Sequence, residues 1–317
     1  MFNYRRILFF APRFFGYPEI IAKRLGEKGA SVDLFFDEPT NVLFKLNRIF
    51  RICNYDVRSY WKNVESHLND HYDCIFIIKG NLLPKFFYET LKNKYPDSFF
   101  IQYHWDDIDI ASSAGVKETF QYFDRILCYN VLDAEKYKML FRPFFFCGDL
   151  EQSVAKNIDL FFIGSYSISR YNTVKSLFAL NDLTGFRLKK HFYINPAVYI
   201  HDKLPLSDLG QFNYSKMSYP RMVQYIKQSR CSVDIPFEGQ QGLTTRSFES
   251  IPFRTKIVTT NKNIRFYDFY SPENVQIIDS QNPIVDLDWL RTPFKSVDAE
   301  LIMRYSLDSW ISDVFRS

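Results

Sequence analysis

Apolar and polar positions come in blocks along this chain. "RILFFA" (6–11) is a short continuous apolar run that ends at Pro12. "PEIIAKRLGEKG" (18–29) then places Ile20, Ile21 and Leu25 at helical spacing before a glycine stop, and "SVDLFF" (31–36) is apolar again. Strand, helix, strand in that order predicts a β-α-β unit with a parallel sheet. The same signals predict strands at 72–80, 98–105 and 123–130, with a helix at 83–96 stopped by Pro96. A second series opens near residue 158. It has strands at 158–166, 186–194, 231–237, 255–261 and 273–279, helices at 170–181, 219–230 and 244–253, and a terminal helix around 299–315. The reading is an α/β chain of two tandem Rossmann-like, doubly wound domains facing a cleft: an acceptor-side domain over 1–150 and a donor domain over 151–317. The join falls inside "FRPFFFCGDLEQSVAKN" (141–157), and ligands are expected at the C-terminal ends of the strands.

The segment 40–63 stands apart. Leu43, Leu46, Phe50 and Cys53 can share one helical face, with Lys45, Arg48, Arg51 and Arg58 interleaved, so the pattern predicts a basic amphipathic helix. Such a helix packs on the sheet or meets an anionic membrane surface. With 317 residues, 46% apolar and 33 Phe against 11 Gly, the chain can bury two large cores and is not a disordered tail. A net charge of +4 is too small for a dedicated nucleic-acid binder. The five cysteines are scattered through apolar surroundings, which fits reduced core thiols and neither a disulfide framework nor a C-x-x-C zinc site. No window approaches about 18 uninterrupted apolar residues, and the first apolar run is too short for a secretory leader, so a cytoplasmic protein is expected.

The most polar turn lies where a buried strand should pass directly into a helix: "PFEGQQGLTTRSFESIPFRTKIVTTN" (236–261). Gly242 would let the backbone approach a ligand. A helix starting near Thr244 would offer free N–H groups to a diphosphate, with Thr244 or Thr245 as cap. Arg246 could fork onto phosphate and Glu249 could accept ribose hydroxyls. "IGSYSISR" is the matching turn of the first unit of that half, with Gly164 ending the strand, Ser165 in the loop and Arg170 opening the helix. Neither turn has the G-x-G-x-x-G or G-x-x-x-x-G-K-[ST] form, which argues against a dinucleotide oxidoreductase and a P-loop kinase.

In the first half, "YHWDDIDI" puts His104, Asp106 and Asp107 at a strand end. Asp106 first, and His104 second, could act as the general base that an inverting transfer needs. Asp107 and Asp109 also spell D-x-D, a metal-binding alternative. Arg13 and Gly16 in "APRFFGYPE", and Lys79 and Asn81 in "IKGNLLP", are candidates for the acceptor side. His67 and His71 have zinc-like helical spacing but lack a further ligand nearby, so no metal site is expected.

The tandem layout, "DLFFIGSYSISR" and the 236–261 turn together resemble the GT-B glycosyltransferases, most of all the bacterial group related to CgeB and to polysaccharide-biosynthesis transferases. Glu238, Gly239, Gly242, Leu243 and Glu249 can be laid on that group's E-G-x-G-L-x-x-x-E-A segment, although Glu238 and Glu249 are eleven residues apart, wider than the family form. The resemblance implies a metal-independent hexosyltransferase. Gly164, Ser165, Arg170, Gly242, Leu243, Thr244, Thr245, Arg246 and Glu249 would hold a nucleotide-sugar donor. The acceptor would be a saccharide, lipid-linked, in capsule, lipopolysaccharide or O-antigen assembly, handled by a cytoplasmic enzyme peripheral at the inner membrane face. No nucleic-acid partner is implied. The alternatives are a metal-dependent D-x-D transferase and a non-catalytic sugar- or nucleotide-binding module.

Overall fold

The computed structural model describes residues 4–39, 44, 58–148, 154–180 and 183–316. It divides into two compact units, Met1–Arg142 with Ile311–Ser317, and Pro143–Trp310. The sequence places the whole C-terminal helix in the second half. Instead, Phe315 packs on Tyr4 and Phe76, and Arg142 pairs with Asp313 at 3.0 Å, so the last turn belongs to the first unit.

The first unit runs β1 (Arg6–Ala11), α1 (Tyr17–Glu27), β2 (Ser31–Phe36), α2 (Arg58–Ser66), β3 (Cys74–Ile78), α3 (Lys85–Lys94), β4 (Phe99–His104), β5 (Arg125–Cys128), α4 (Val131–Tyr137) and β6 (Leu140–Phe141). The sheet is parallel throughout, in the order β2-β1-β3-β4-β5-β6. β1 and β3 are covered on both faces, which is why they read as unbroken apolar runs. Aromatic rings fill the layer above them: Phe10, Trp61 and Phe87 meet with centroids 4.6–6.0 Å apart. α4 is not predicted by apolar spacing. Asn130 starts it by accepting a hydrogen bond from the Leu132 amide. Of the amphipathic helix expected at 40–63, positions 40–43 and 45–57 lie outside the described residues. Among the described residues no helix is long and apolar enough to cross a membrane.

The second unit runs β7 (Ile158–Ser165), α5 (Ile168–Phe178), β8 (Leu188–Tyr193), α6 (Pro196–His201), α7 (Tyr219–Gln228), β9 (Ser229–Asp234), α8 (Thr245–Ser250), β10 (Lys256–Thr259), β11 (Val275–Ile277), α9 (Leu287–Arg291), α10 (Ala299–Arg304) and α11 (Leu307–Val314). Its sheet is again parallel, in the order β11-β10-β9-β7-β8. Leu160, Phe162, Val174, Leu177, Cys231 and Val233 form its main core. The single helix expected over 299–315 is two helices. The backbone at Tyr305 and Leu307 bonds to Phe146, through Phe146 N–H to Tyr305 O at 2.9 Å and Leu307 N–H to Phe146 O at 3.0 Å, and this pairing replaces a helical turn.

Candidate active site

In the second sheet the strand order reverses between β7 and β9, and a parallel sheet opens a crevice at the carboxyl ends of the strands on either side of such a reversal. Arg170, in the first turn of α5, spans this point. Its Nε donates to Ile235 O at 2.7 Å and its Nη1 to Ser165 O at 2.8 Å, so one guanidinium ties the ends of β9 and β7. The residue is 3% exposed, and its guanidinium carbon lies 3.8 Å from the centre of the Phe237 ring. Burial, and then the Arg246 charge, draw its pKa down to about 9. Gly164 makes room for it: a Cβ there would meet Phe162 Cζ at 2.8 Å and Arg170 Cδ at 3.4 Å.

A pocket of about 430 Å³ opens at these strand ends. It is lined by Ser169, Arg170 and Thr173 of α5, by Ile235–Gln241 after β9, by Thr260–Asn263 after β10, and by Ser280 and Gln281 after β11. Glu238 and Lys262 are exposed in it, as acceptor and cation. The Asn261 side chain fastens the far wall, donating from Nδ2 to Gln241 O and Gly242 O at 3.1 Å.

The residues that the sequence assigns to phosphate and ribose lie elsewhere. Asp234, the last residue of β9 and 2% exposed, collects them. It accepts from Thr244 Oγ1 at 2.8 Å, Ser247 Oγ at 2.8 Å, and Arg246 Nε and Nη2 at 3.2 and 3.0 Å. The forked contact expected of Arg246 is therefore made to a carboxylate of the protein. Thr244 does cap α8, receiving the Arg246 amide at 3.3 Å, but α8 is only six residues long. Leu243, at 1% exposure, and Thr245, at 7%, are buried. Glu249 is fully buried at 0% and accepts from Tyr219 O–H at 2.7 Å, so the expected ribose acceptor is an interior group.

In the first unit Lys79, Asn81, His104 and Asp106 lie at the carboxyl ends of β3 and β4, while Arg13 and Gly16 follow β1. Lys79 and Gly80 turn with φ of 65° and 88°. This conformation aims the Lys79 ammonium at Asp106 Oδ2, 2.8 Å away, with the two side chains 13% and 35% exposed. Asn81 donates to Ser112 O at 3.1 Å. Arg13 sits over the Phe36 ring at 3.5 Å, and Gly16, at φ 84°, is the left-handed N-cap of α1. His104 is corrected from base to core residue. It is 1% exposed, its Nε2 has no hydrogen-bond partner, and burial plus the Lys79 charge push its pKa down to about 3. The D-x-D pair also comes apart. Asp107 is buried and accepts from Tyr129 O–H at 2.7 Å and Asn130 Nδ2 at 2.9 Å. Asp109 faces outward, held well below the usual carboxylate range by hydrogen bonds from Lys117, Lys136 and Tyr137. α2 ends before His67, and His67 and His71 turn to Asn63 O and Asp73 respectively.

No protein-family model matches the chain, and no curated protein matches it. Its fold is found among solved structures. An α-glucosyltransferase in complex with UDP and a 13-mer DNA containing a central A:G mismatch aligns over 99% of this chain and 91% of its own, with a TM-score of 0.53 and 14% identity. OtsA, in an apo structure, aligns over 98% and 99% with a TM-score of 0.56 and 8% identity. TarM aligns over 81% of this chain and 57% of its own with a TM-score of 0.52 and 13% identity.

The fold is GT-B.

Within this GT-B chain the sequence-nominated residues sort by burial. Arg170 lines the strand-end pocket, with Gly164 and Ser165 directly behind it. Gly242, Leu243, Thr244, Thr245, Arg246 and Glu249 stand behind the pocket wall as its scaffold, while Glu238 lines the pocket itself. Asp234, Asn261, Lys262, Asn263 and Ser280 were missed. Asp234 carried a usable signal, because a lone carboxylate inside an apolar strand has to find charged or hydroxyl partners in the fold. The others sit in short loops without periodicity.

Proposed function

We propose that the chain is a glycosyltransferase whose second unit holds a nucleotide-sugar donor in the pocket at the ends of β7, β9, β10 and β11. The observation that carries this reading is Arg170: a nine-tenths buried cation at the strand reversal, on the rim of a pocket whose other walls supply Lys262, amides and hydroxyls. Arg170 and Lys262 face a diphosphate and offset the charge that grows on it as the glycosidic bond breaks. Phe237, 44% exposed, offers the ring face not covered by Arg170 to a nucleobase, and Glu238 accepts hydroxyls of ribose or sugar. Transfer by these cations needs no divalent metal, so a chelator is expected to leave the rate unchanged.

Asp106 is the carboxylate we assign to deprotonation of the acceptor hydroxyl in an inverting transfer, with Lys79 positioning it. In a retaining transfer the departing phosphate assists, and Asp106→Asn keeps its rate. The acceptor is a saccharide hydroxyl, lipid-linked, and the pathway is bacterial surface-polysaccharide assembly at the inner membrane face. This finer reading rests on the resemblance to the CgeB-related group. Thermal unfolding with a panel of uridine, guanosine, cytidine, thymidine and adenosine diphosphate sugars tests the core proposal. A ligand at about 100 times its Kd adds about 2.7 kcal/mol and a clear rise in Tm. No rise with any of them overturns donor binding, and a rise without turnover on any saccharide favours a binding module.

A further inference from the structure

The parallel strands of the second sheet also share an N-terminal edge, opposite the donor pocket. A second cavity of about 490 Å³ opens there, against the starts of β7, β9 and β10. Among the described residues its lining includes five cations, Lys156, Lys227, Arg230, Arg254 and Lys256, and no carboxylate. Among the described residues the carboxylates that bear on these cations include Asp286, whose charge acts on Lys256, and Asp159 beside Arg230. Lys156 Nζ donates to Phe253 O at 2.8 Å and Thr255 Oγ1 at 2.9 Å, both neutral. Lys256, 2% exposed, donates to Trp289 O and Thr292 Oγ1 at 2.5 Å, again neutral, with its ammonium 4.4 Å from the Trp289 ring. Arg230 has Asp159 at 3.2 Å but shares that carboxylate with Arg187, at 3.1 Å. Arg254 stands exposed at the rim in the left-handed region, at φ 54°.

Burying ammonium groups on neutral partners costs stability that an apolar side chain of the same size would not. Burial, and then the Arg254 charge, pull the Lys156 pKa down to about 8, the mark of a site short of negative charge. Phe253, Pro293 and Phe294 give the cavity an apolar wall beside the cations, and its volume is that of a small-molecule site. We propose that this cavity is an anion site, separate from the donor pocket, for a phosphate-bearing ligand with at least two negative charges. A free phosphate compound and an anionic lipid headgroup share that chemistry.

Isothermal titration of the full chain with inorganic pyrophosphate, and co-flotation with vesicles, test the site. The vesicles are phosphatidylcholine alone or mixed with an equal part of phosphatidylglycerol. Arg254→Gly removes a rim charge at a position whose backbone suits glycine, and Lys227→Gln removes a second. Wild-type protein is expected to bind pyrophosphate, to lose at least tenfold in affinity in Arg254→Gly/Lys227→Gln with no fall in Tm, and to keep its affinity in the donor-pocket variant Lys262→Ala. Rim-dependent flotation with phosphatidylglycerol vesicles, competed by pyrophosphate, assigns the lipid source. Pyrophosphate binding without flotation assigns a free ligand. Binding that ignores the rim variant, or that disappears in Lys262→Ala, overturns the proposal, as does no binding of either probe. Because a bare diphosphate can also enter the donor pocket, the rim dependence is read in the Lys262→Ala background, where pyrophosphate binding lost on adding the rim substitutions belongs to this cavity whatever becomes of the donor assignment.

Discussion

Removing the carboxylate of Asp234 is expected to be one of the most damaging single changes in the second unit. The Asp234 and Arg246 side chains are 3% and 13% exposed, and the carboxylate also receives the Thr244 and Ser247 hydroxyls. Asp234→Ala leaves a guanidinium and two hydroxyls in the interior with no acceptor. Breaking a buried pair from one side costs about 3–5 kcal/mol, because the surviving charge stays desolvated. At about 2–4 °C per kcal/mol for a unit of this size, Tm should fall by roughly 6–20 °C. The assay is thermal unfolding followed by far-ultraviolet circular dichroism, repeated for Arg246→Met and for the double variant. Removing both charges takes away the stranded guanidinium, so the double variant should recover most of the loss, giving a large coupling energy. A loss below about 1 kcal/mol for Asp234→Ala, or a double variant as damaged as the sum of the singles, would refute the view that Arg246 is a strut. So would an Arg246→Met protein with unchanged Tm that no longer binds donor, since that result returns Arg246 to the phosphate.

Gly164→Ala places a methyl 2.8 Å from Phe162 Cζ and 3.4 Å from Arg170 Cδ. It is expected to cost about 1–3 kcal/mol and to weaken donor binding by displacing Arg170, as read by chemical denaturation and titration. His104 holds its proton only below about pH 3 when folded, against an ordinary value of 6.5. Between those values the unfolded chain takes up the proton first, so stability falls as pH drops, by up to about 1.4 kcal/mol per pH unit. Urea denaturation across that window should show a shallower slope for His104→Phe, and an unchanged slope would place His104 in contact with water. Lys156 acts in the same sense at higher pH. Its folded pKa of about 8 lies below the ordinary 10.5, so wild-type stability relative to Lys156→Met should rise with pH between those values.

Much of the fold was legible because a strand covered on both faces admits few polar residues. β1 and β2 match the apolar runs at 6–11 and 31–36, and β7 starts at Ile158 as expected. Less legible were the features set by one backbone contact or one cap: the break at Tyr305, made by Phe146, and the start of α4, made by Asn130. The site divided in the same way. That Arg170 lies at the strand-end pocket was legible because a cation opening a helix after a buried strand is a local signal. Sequence position alone does not show which way Glu249 faces. It sits one residue after the core side chain Phe248, and Tyr219 on α7, thirty residues away, receives it inside. Glu238, outside any periodic segment, was left at the pocket by the loop that follows β9.

The central claim is that the donor nucleotide lies among Arg170, Phe237, Glu238 and Lys262. Its most direct test is the Kd of the nucleoside diphosphate whose sugar raises Tm, measured for wild type, Lys262→Ala and Arg254→Gly. A weakening of about tenfold in Lys262→Ala, worth about 1.4 kcal/mol, with no change in Arg254→Gly, is the expected result. Equal affinity in wild type and Lys262→Ala, with loss in Arg254→Gly, would put the nucleotide at the opposite edge of the sheet and contradict the assignment.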